Sequence, residues 1–298
     1  MTRVAVLGPG GVGGFVAAAL ARCGTATTVV AREPTAAAIA DRGLQVTSAR
    51  LGEFVVHPAA TARLDEDPDV LVIATKAPGL EPALERIAGE PGLVVPLLNG
   101  IDHLERLRER FGHRAVAGTM RIGSERPQPG VIVQTSPAAM IELAADHPAP
   151  RPRMAAFVDV LRTAEIPARL GDTEARVMWS KLARLNALAC VTAAYGTPIG
   201  PIREHPRRRV EIEDAVLETV AVANTEGAGV DADDTLRELW GLAPGHTSSL
   251  QRDIDAGRPS ELDAIPGAVL RHGARHGLAC PTVAALVERI RARADHLR

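Results

Sequence analysis

The chain has 298 residues, 46% of them apolar and only 2% aromatic, enough for one large or two ordinary domains with a core of Val, Leu, Ile and Ala. A net charge of −2 gives no general pull toward nucleic acid or an anionic membrane. Three widely spaced cysteines, Cys23, Cys190 and Cys280, form no CxxC pair, which points to a reducing compartment, no disulfide framework and three small packing residues.

The N-terminus, MTRVAVLGPGG, has no signal-peptide layout, and no apolar run approaches membrane-spanning length. A soluble cytoplasmic protein is expected. Residues 3–8, RVAVLG, read as a strand, followed by a helix from Val12 to Cys23 and a second strand at 27–31, TTVVA. Residues 69–75 (DVLVIAT) and 92–99 (GLVVPLLN) are near-continuous apolar runs, as parallel strands buried on both faces require. The stretch 78–88, PGLEPALERIA, reads as a helix between them, and 115–119 and 130–136 as later strands, antiparallel ones among them. After Gly171 strand signals nearly vanish. Asp172 suits an N-cap, and helical patterns run through 211–228 and 281–297. The expected architecture is α/β: a Rossmann-type doubly wound sheet over 1–170 and an all-helical domain over 171–298.

The first strand and helix enclose Gly8, Gly10 and Gly13 in a GxGxxG. Gly8 allows the tight turn, Gly10 lets a pyrophosphate approach the backbone, and Gly13 lets helix and strand pack closely. Gly11 and Val12 offer N–H groups at the helix N-terminus. An NAD site usually ends the second strand with an acid. Here Ala31 and Arg32 stand there, and a guanidinium suits the 2′-phosphate of NADP. Glu33 competes, since turned inward it would serve an NAD ribose. Lys76 and Asn99 end two further strands, where ligands of open α/β sheets gather; each also reads as a surface or turn residue.

In the helical half, Lys181 of MWSKLARLNALA shares a helix face with Val177, Met178, Leu185 and Leu188, while Arg176, Ser180 and Arg184 lie elsewhere. A snorkelling lysine and a proton-donating cleft lysine both fit this pattern. In 248–267, Ser249 and Asp253 share a face, Gly257 suits a helix end, Ser260 and Asp263 fit a capping box, and Glu261 is left over. Arg207 to Arg209 read as a solvated helix face. His272 and His276, four apart, have metal-ligand spacing but no third ligand, so no metal is expected.

Together these features resemble the ketopantoate reductase family over the whole chain. They are the N-terminal GxGxxG, Arg32, Lys76, Asn99-Gly100, the W-x-K of Trp179 to Lys181, and the S-S-x-x-x-D-I-x-x-x-R-x-x-E-x-D segment from Ser248 to Asp263. The resemblance implies a cytoplasmic NADPH enzyme that reduces a 2-oxo acid bound between its two domains. It implies Lys181 as general acid, with Glu261 holding or tuning it and contacting substrate. Asn99, Ser249, Lys76 and Asp253 would be substrate-binding, with Lys76 and Asn99 also near the cofactor, and a homodimer is an assembly it allows. The chemistry agrees: hydride arriving at a ketone leaves an alkoxide, which an ammonium both stabilises and protonates.

The sequence departs from the family at two places. Leu185 and Ala189 stand where the family commonly has asparagines. Asn186 is rotated about 140° away from Lys181 and does not replace them. 2-Dehydropantoate is the leading substrate. A more apolar 2-keto acid is the alternative, followed by a non-catalytic NADPH sensor or a relative of the β-hydroxyacid dehydrogenases.

Overall fold

A computed structural model describes residues 2–297. Its first part alternates strands and helices. They are β1 (Arg3–Leu7), α1 (Gly11–Arg22), β2 (Ala26–Val30), α2 (Glu33–Arg42), β3 (Leu44–Ser48), β4 (Gly52–Val56), β5 (Ala59–Thr61), β6 (Val70–Ile73), α3 (Leu80–Leu84), β7 (Leu93–Pro96), α4 (His103–Phe111), β8 (Ala117–Gln128), β9 (Val131–Ala144), α5 (Arg151–Thr163) and β10 (Ala168–Leu170). Helices follow: α6 (Glu174–Tyr195), α7 (Ile199–Glu204), α8 (Pro206–Thr225), α9 (Ala232–Trp240), α10 (Ser249–Asp255), α11 (Ala268–Arg275) and α12 (Pro281–His296). Among the described residues no helix is long and apolar enough to cross a membrane.

The apolar runs become an all-parallel sheet in the order β5-β2-β1-β6-β7. Every residue of β6 and β7 is buried. Strand order reverses between β1 and β6, the switch point beyond which ligands bind in such sheets. A second, mixed sheet runs β10-β9-β3-β4, with β8 antiparallel to β9. Parts of β8 and β9 are legible in the sequence, but this separate sheet is not. Its strands alternate buried and exposed residues, as in β3, rather than forming apolar runs. Helix α1, with Phe15 and Leu20 fully buried, serves both sheets, and Gly14 leaves room for Ile132 of β9.

Three local expectations need correcting. The stretch 78–88 is not one helix: a 3₁₀ turn at Ala77–Gly79 precedes the five residues of α3. Pro78 and Pro82 each remove an N–H donor there. Helix α6 is capped by Thr173, whose Oγ1 accepts from the Arg176 N–H at 3.1 Å, not by Asp172. Cys23 is exposed, and only Cys190 and Cys280 are buried packing residues.

The chain forms two compact units, Met1–Leu98 with His103–Val177, and Asn99–Asp102 with Met178–Arg298. The changeover lies inside the first turn of α6. The tetrapeptide Asn99–Asp102 belongs by its contacts to the helical unit.

Candidate active site

In the first unit, β1 turns into α1 through Gly8, whose φ of +88° favours glycine. A Cβ on Gly13 would collide with the Gly8 carbonyl and with Ala74. Gly10 precedes α1 with no side-chain cap, and the first turn carries no acid. The N–H groups of Gly11, Val12 and Gly13 thus head an uncapped helix, the arrangement a pyrophosphate requires. The cradle fits a dinucleotide. Arg32 is exposed at the N-cap of α2, just after buried Ala31. Glu33 turns to Arg86, whose Nη1 donates to Oε1 at 3.2 Å. A backbone hydrogen bond and Arg86 hold the Glu33 carboxyl below its usual value. Lys76 is exposed three residues past the end of β6, where it precedes the 3₁₀ turn.

The second unit gathers the other candidates. Lys181 is only 9% exposed on α6, between buried Val177, Met178 and Leu188. Glu261 is 5% exposed. Its Oε2 accepts from Asn99 Nδ2 at 2.8 Å, which joins two residues 162 apart in sequence. Local backbone explains the meeting. Gly100 has φ +81°, and its missing Cβ leaves room for the carbonyl of Ala264. Ala264 lies in a single π turn, Asp263–Gly267, containing Pro266. Insertions of this kind are frequent at functional sites. The expected capping box does not form. Asp263 instead accepts from Arg271 Nη1 at 2.7 Å.

Helix α10 begins as a cap should, but with Ser248 in that position: its hydroxyl accepts from the Gln251 N–H and meets Thr192 Oγ1 at 2.7 Å. Ser249 follows, half-buried. Asp253 is buried and pairs with Arg258 Nε at 3.1 Å. Gly257 ends the helix at φ +60°. Asn186 is fully buried and donates to Thr219 Oγ1 at 2.9 Å, while Cys190 donates to its Oδ1. It is therefore committed away from the Lys181 face. Leu185 and buried Ala189 leave that face apolar.

One cluster joins residues that no sequence motif connects. Asp102 ends the tetrapeptide that begins at Asn99, and its Oδ2 accepts from Arg271 Nη2 at 2.6 Å. Its Oδ1 meets His272 Nε2 at 3.0 Å, and the opposite ring nitrogen, Nδ1, meets Glu226 Oε1 at 2.8 Å. His276 Nε2 reaches the same Glu226 oxygen at 2.8 Å. The two histidines thus share a carboxylate. The His272 hydrogen bond, helped by Arg271 against burial, pulls the Asp102 carboxyl down to about 2. His272 is raised, chiefly by Asp102 and against burial. Burial pushes Glu226 up, but the two histidines bring it below its usual value. Trp179, two residues before Lys181, packs edge-on against His272 with centroids 5.4 Å apart. The tetrapeptide is therefore anchored at Asp102 while Asn99 reaches Glu261.

A parallel sheet of this order, with a glycine cradle at its first strand and a helical unit holding a buried lysine and glutamate, defines a Rossmann-type oxidoreductase. Residues 4–145 match the family model "Ketopantoate reductase PanE/ApbA", and residues 175–294 match "Ketopantoate reductase PanE/ApbA C terminal". The chain belongs to the ketopantoate reductase family, whose members are NADP-dependent oxidoreductases. It is 30% identical over 302 residues to the 2-dehydropantoate 2-reductase of Caulobacter vibrioides, covering 99% of this chain and 100% of that one. The solved 2-dehydropantoate 2-reductase from Geobacter metallireducens superposes with a TM-score of 0.87 at 26% identity, covering 97% and 99% of the two chains. A D-mandelate dehydrogenase, solved with NADH and anilino(oxo)acetate, shares the fold at a TM-score of 0.90 and 20% identity, with 99% of each chain covered.

Proposed function

We propose that this chain is a cytoplasmic enzyme that reduces 2-dehydropantoate to pantoate with NADPH, Lys181 supplying the proton. The observation that carries the reading is the burial of Lys181. A snorkelling lysine keeps its ammonium in water, whereas this residue is 9% exposed among aliphatic side chains. NADPH, when bound, supplies the hydride. The glycine cradle holds its pyrophosphate, and Arg32 holds its 2′-phosphate. Glu33 pairs with Arg86, which favours NADPH over NAD at this strand end.

As general acid, Lys181 would stabilise the alkoxide that develops on the carbonyl oxygen and protonate it. Glu261 takes one N–H of Asn99, leaving the second N–H and Oδ1 to bind a substrate hydroxyl. The Ser249 hydroxyl binds a second polar group of the substrate, and Lys76 serves the cofactor side.

A second reading keeps the chemistry but changes the substrate to a more apolar 2-oxo acid. Leu185, Ala189 and the commitment of Asn186 to Thr219 favour it, because discrimination for a hydroxyl rests on paired polar groups. The dehydrogenase of the same fold, solved with an aryl-substituted oxoacetate, is in keeping with it. NADPH consumption against a panel of 2-oxo acids separates the two. The first reading expects the highest kcat/KM for 2-dehydropantoate; a higher value for hydroxyl-free aryl or branched 2-oxo acids would establish the second.

The cofactor assignment gives a direct prediction. Arg32→Ala should weaken NADPH binding about tenfold and leave NADH nearly unchanged, as expected for one lost charge-assisted contact. Fluorescence titration with both cofactors checks it, and equal losses would remove Arg32 from the site.

A further inference from the structure

We infer that Arg126, on β8, is a second cation for the adenosine 2′-phosphate, acting with Arg32 to set cofactor preference. The inference rests on the NADPH reading and adds a residue that neither the glycine motif nor the strand-end rule points to. Arg32 and Arg126 line one cavity of about 380 Å³, together with Pro34, Thr35 and Pro127. The cavity lies at the head of α2, where the second strand of a Rossmann sheet delivers the adenosine ribose.

Strand β8 reaches it from the glycine cradle. The Ser124 hydroxyl donates to the Gly11 carbonyl at 2.9 Å, so β8 passes beside the pyrophosphate turn. Two residues later it presents Arg126 to the cavity. The β8–β9 register shifts between Glu125 and Gln128, a segment that holds Arg126 and Pro127. Such a bulge re-aims side chains and is common beside binding sites. The strand therefore follows the course of the cofactor, from pyrophosphate to adenosine.

Charge supports the same assignment. Neither the Arg32 nor the Arg126 guanidinium has a hydrogen-bond or ion-pair partner among the described residues; Arg32 is engaged only through its carbonyl, at the first turn of α2. The nearest acid in sequence to Arg32, Glu33, is taken by Arg86. Two guanidiniums on one cavity without a counter-ion repel each other until an anion arrives. A phosphate monoester carries nearly two charges at neutral pH and offers three acceptor oxygens, enough for two arginines.

The test measures dissociation constants for NADPH, NADH and adenosine 2′-phosphate with the unmodified protein and with Arg126→Ala, Arg126→Lys, Arg126→Glu and Arg32→Ala. Arg126 is exposed, so the variants should fold, and melting curves verify this. Arg126→Ala should weaken NADPH and adenosine 2′-phosphate about tenfold while NADH changes less than about twofold. Arg126→Lys should recover part of the loss, and Arg126→Glu should reverse the preference toward NADH. If Arg126→Ala leaves the NADPH to NADH ratio intact while Arg32→Ala collapses it, the role of Arg126 is overturned and the NADPH reading stands. If the unmodified protein binds NADH more tightly than NADPH, both fall.

Discussion

Lys181→Ala should fold, bind NADPH and lose turnover by about a hundred- to ten-thousand-fold, the range for removing a proton donor, with the lost charge at the oxygen adding to it. Lys181→Arg keeps the charge but does not readily give up a proton, so it should recover only part. Glu261→Ala should also harm turnover, because it frees the Asn99 amide that Glu261 holds at 2.8 Å. The measurement is turnover at saturating NADPH for the three variants, alongside a melting curve. A folded Lys181→Ala protein with near-normal turnover, well replaced by Arg, would make this lysine a packing residue.

His272→Ala should cost about 2–3 kcal/mol of stability near neutrality, the scale of hydrogen bonds to charged groups. The ring joins Asp102 to Glu226, so its loss leaves both carboxylates short of a donor. Its contribution depends on pH in a defined direction. The His272 pKa is raised above the ordinary 6.5 in the fold. The stabilisation is therefore complete below 6.5 and is lost as pH rises through the raised folded value. Asp102 works in the opposite sense: its contribution is present above 3.8 and is lost as pH falls through about 2. The cluster should thus stabilise most between about 4 and 6.5. His272→Gln, which cannot titrate, should flatten the fall in melting temperature on the alkaline side. An unchanged slope would assign that fall to other groups.

The sequence exposes those parts of the molecule whose physics is local. Strands β1, β6 and β7 are legible because burial on both faces demands unbroken Val, Leu and Ile. The cradle is legible because its glycines are fixed by a turn and two close approaches. Lys181 stands out as a charge on an apolar helix face. Strands β3 and β4 are harder to read, since half of their residues face outward and dilute the signal. The Asp102–His272 pair joins positions 170 apart, and no period or motif connects them. The i, i+4 spacing of His272 and His276 is visible, but nothing near them in sequence points to their shared partner, Glu226, far away in the chain. The cap of α6 falls one residue from its expected place because Asp172 and Thr173 are both good capping types.

The tetrapeptide Asn99–Asp102 bears on how freely the helical unit can be recombined. A fragment beginning at Met178 would carry Lys181, Glu261 and His272 yet lack the amide that holds Glu261 and the carboxylate that holds His272. Grafting that fragment onto a foreign nucleotide-binding domain would transplant an incomplete candidate site unless the donor loop after the equivalent of β7 came with it. Four residues thus make the two halves of this gene unsuited to simple cut-and-join exchange: a chimera that respects the apparent seam near residue 177 must also import a patch encoded some eighty codons upstream.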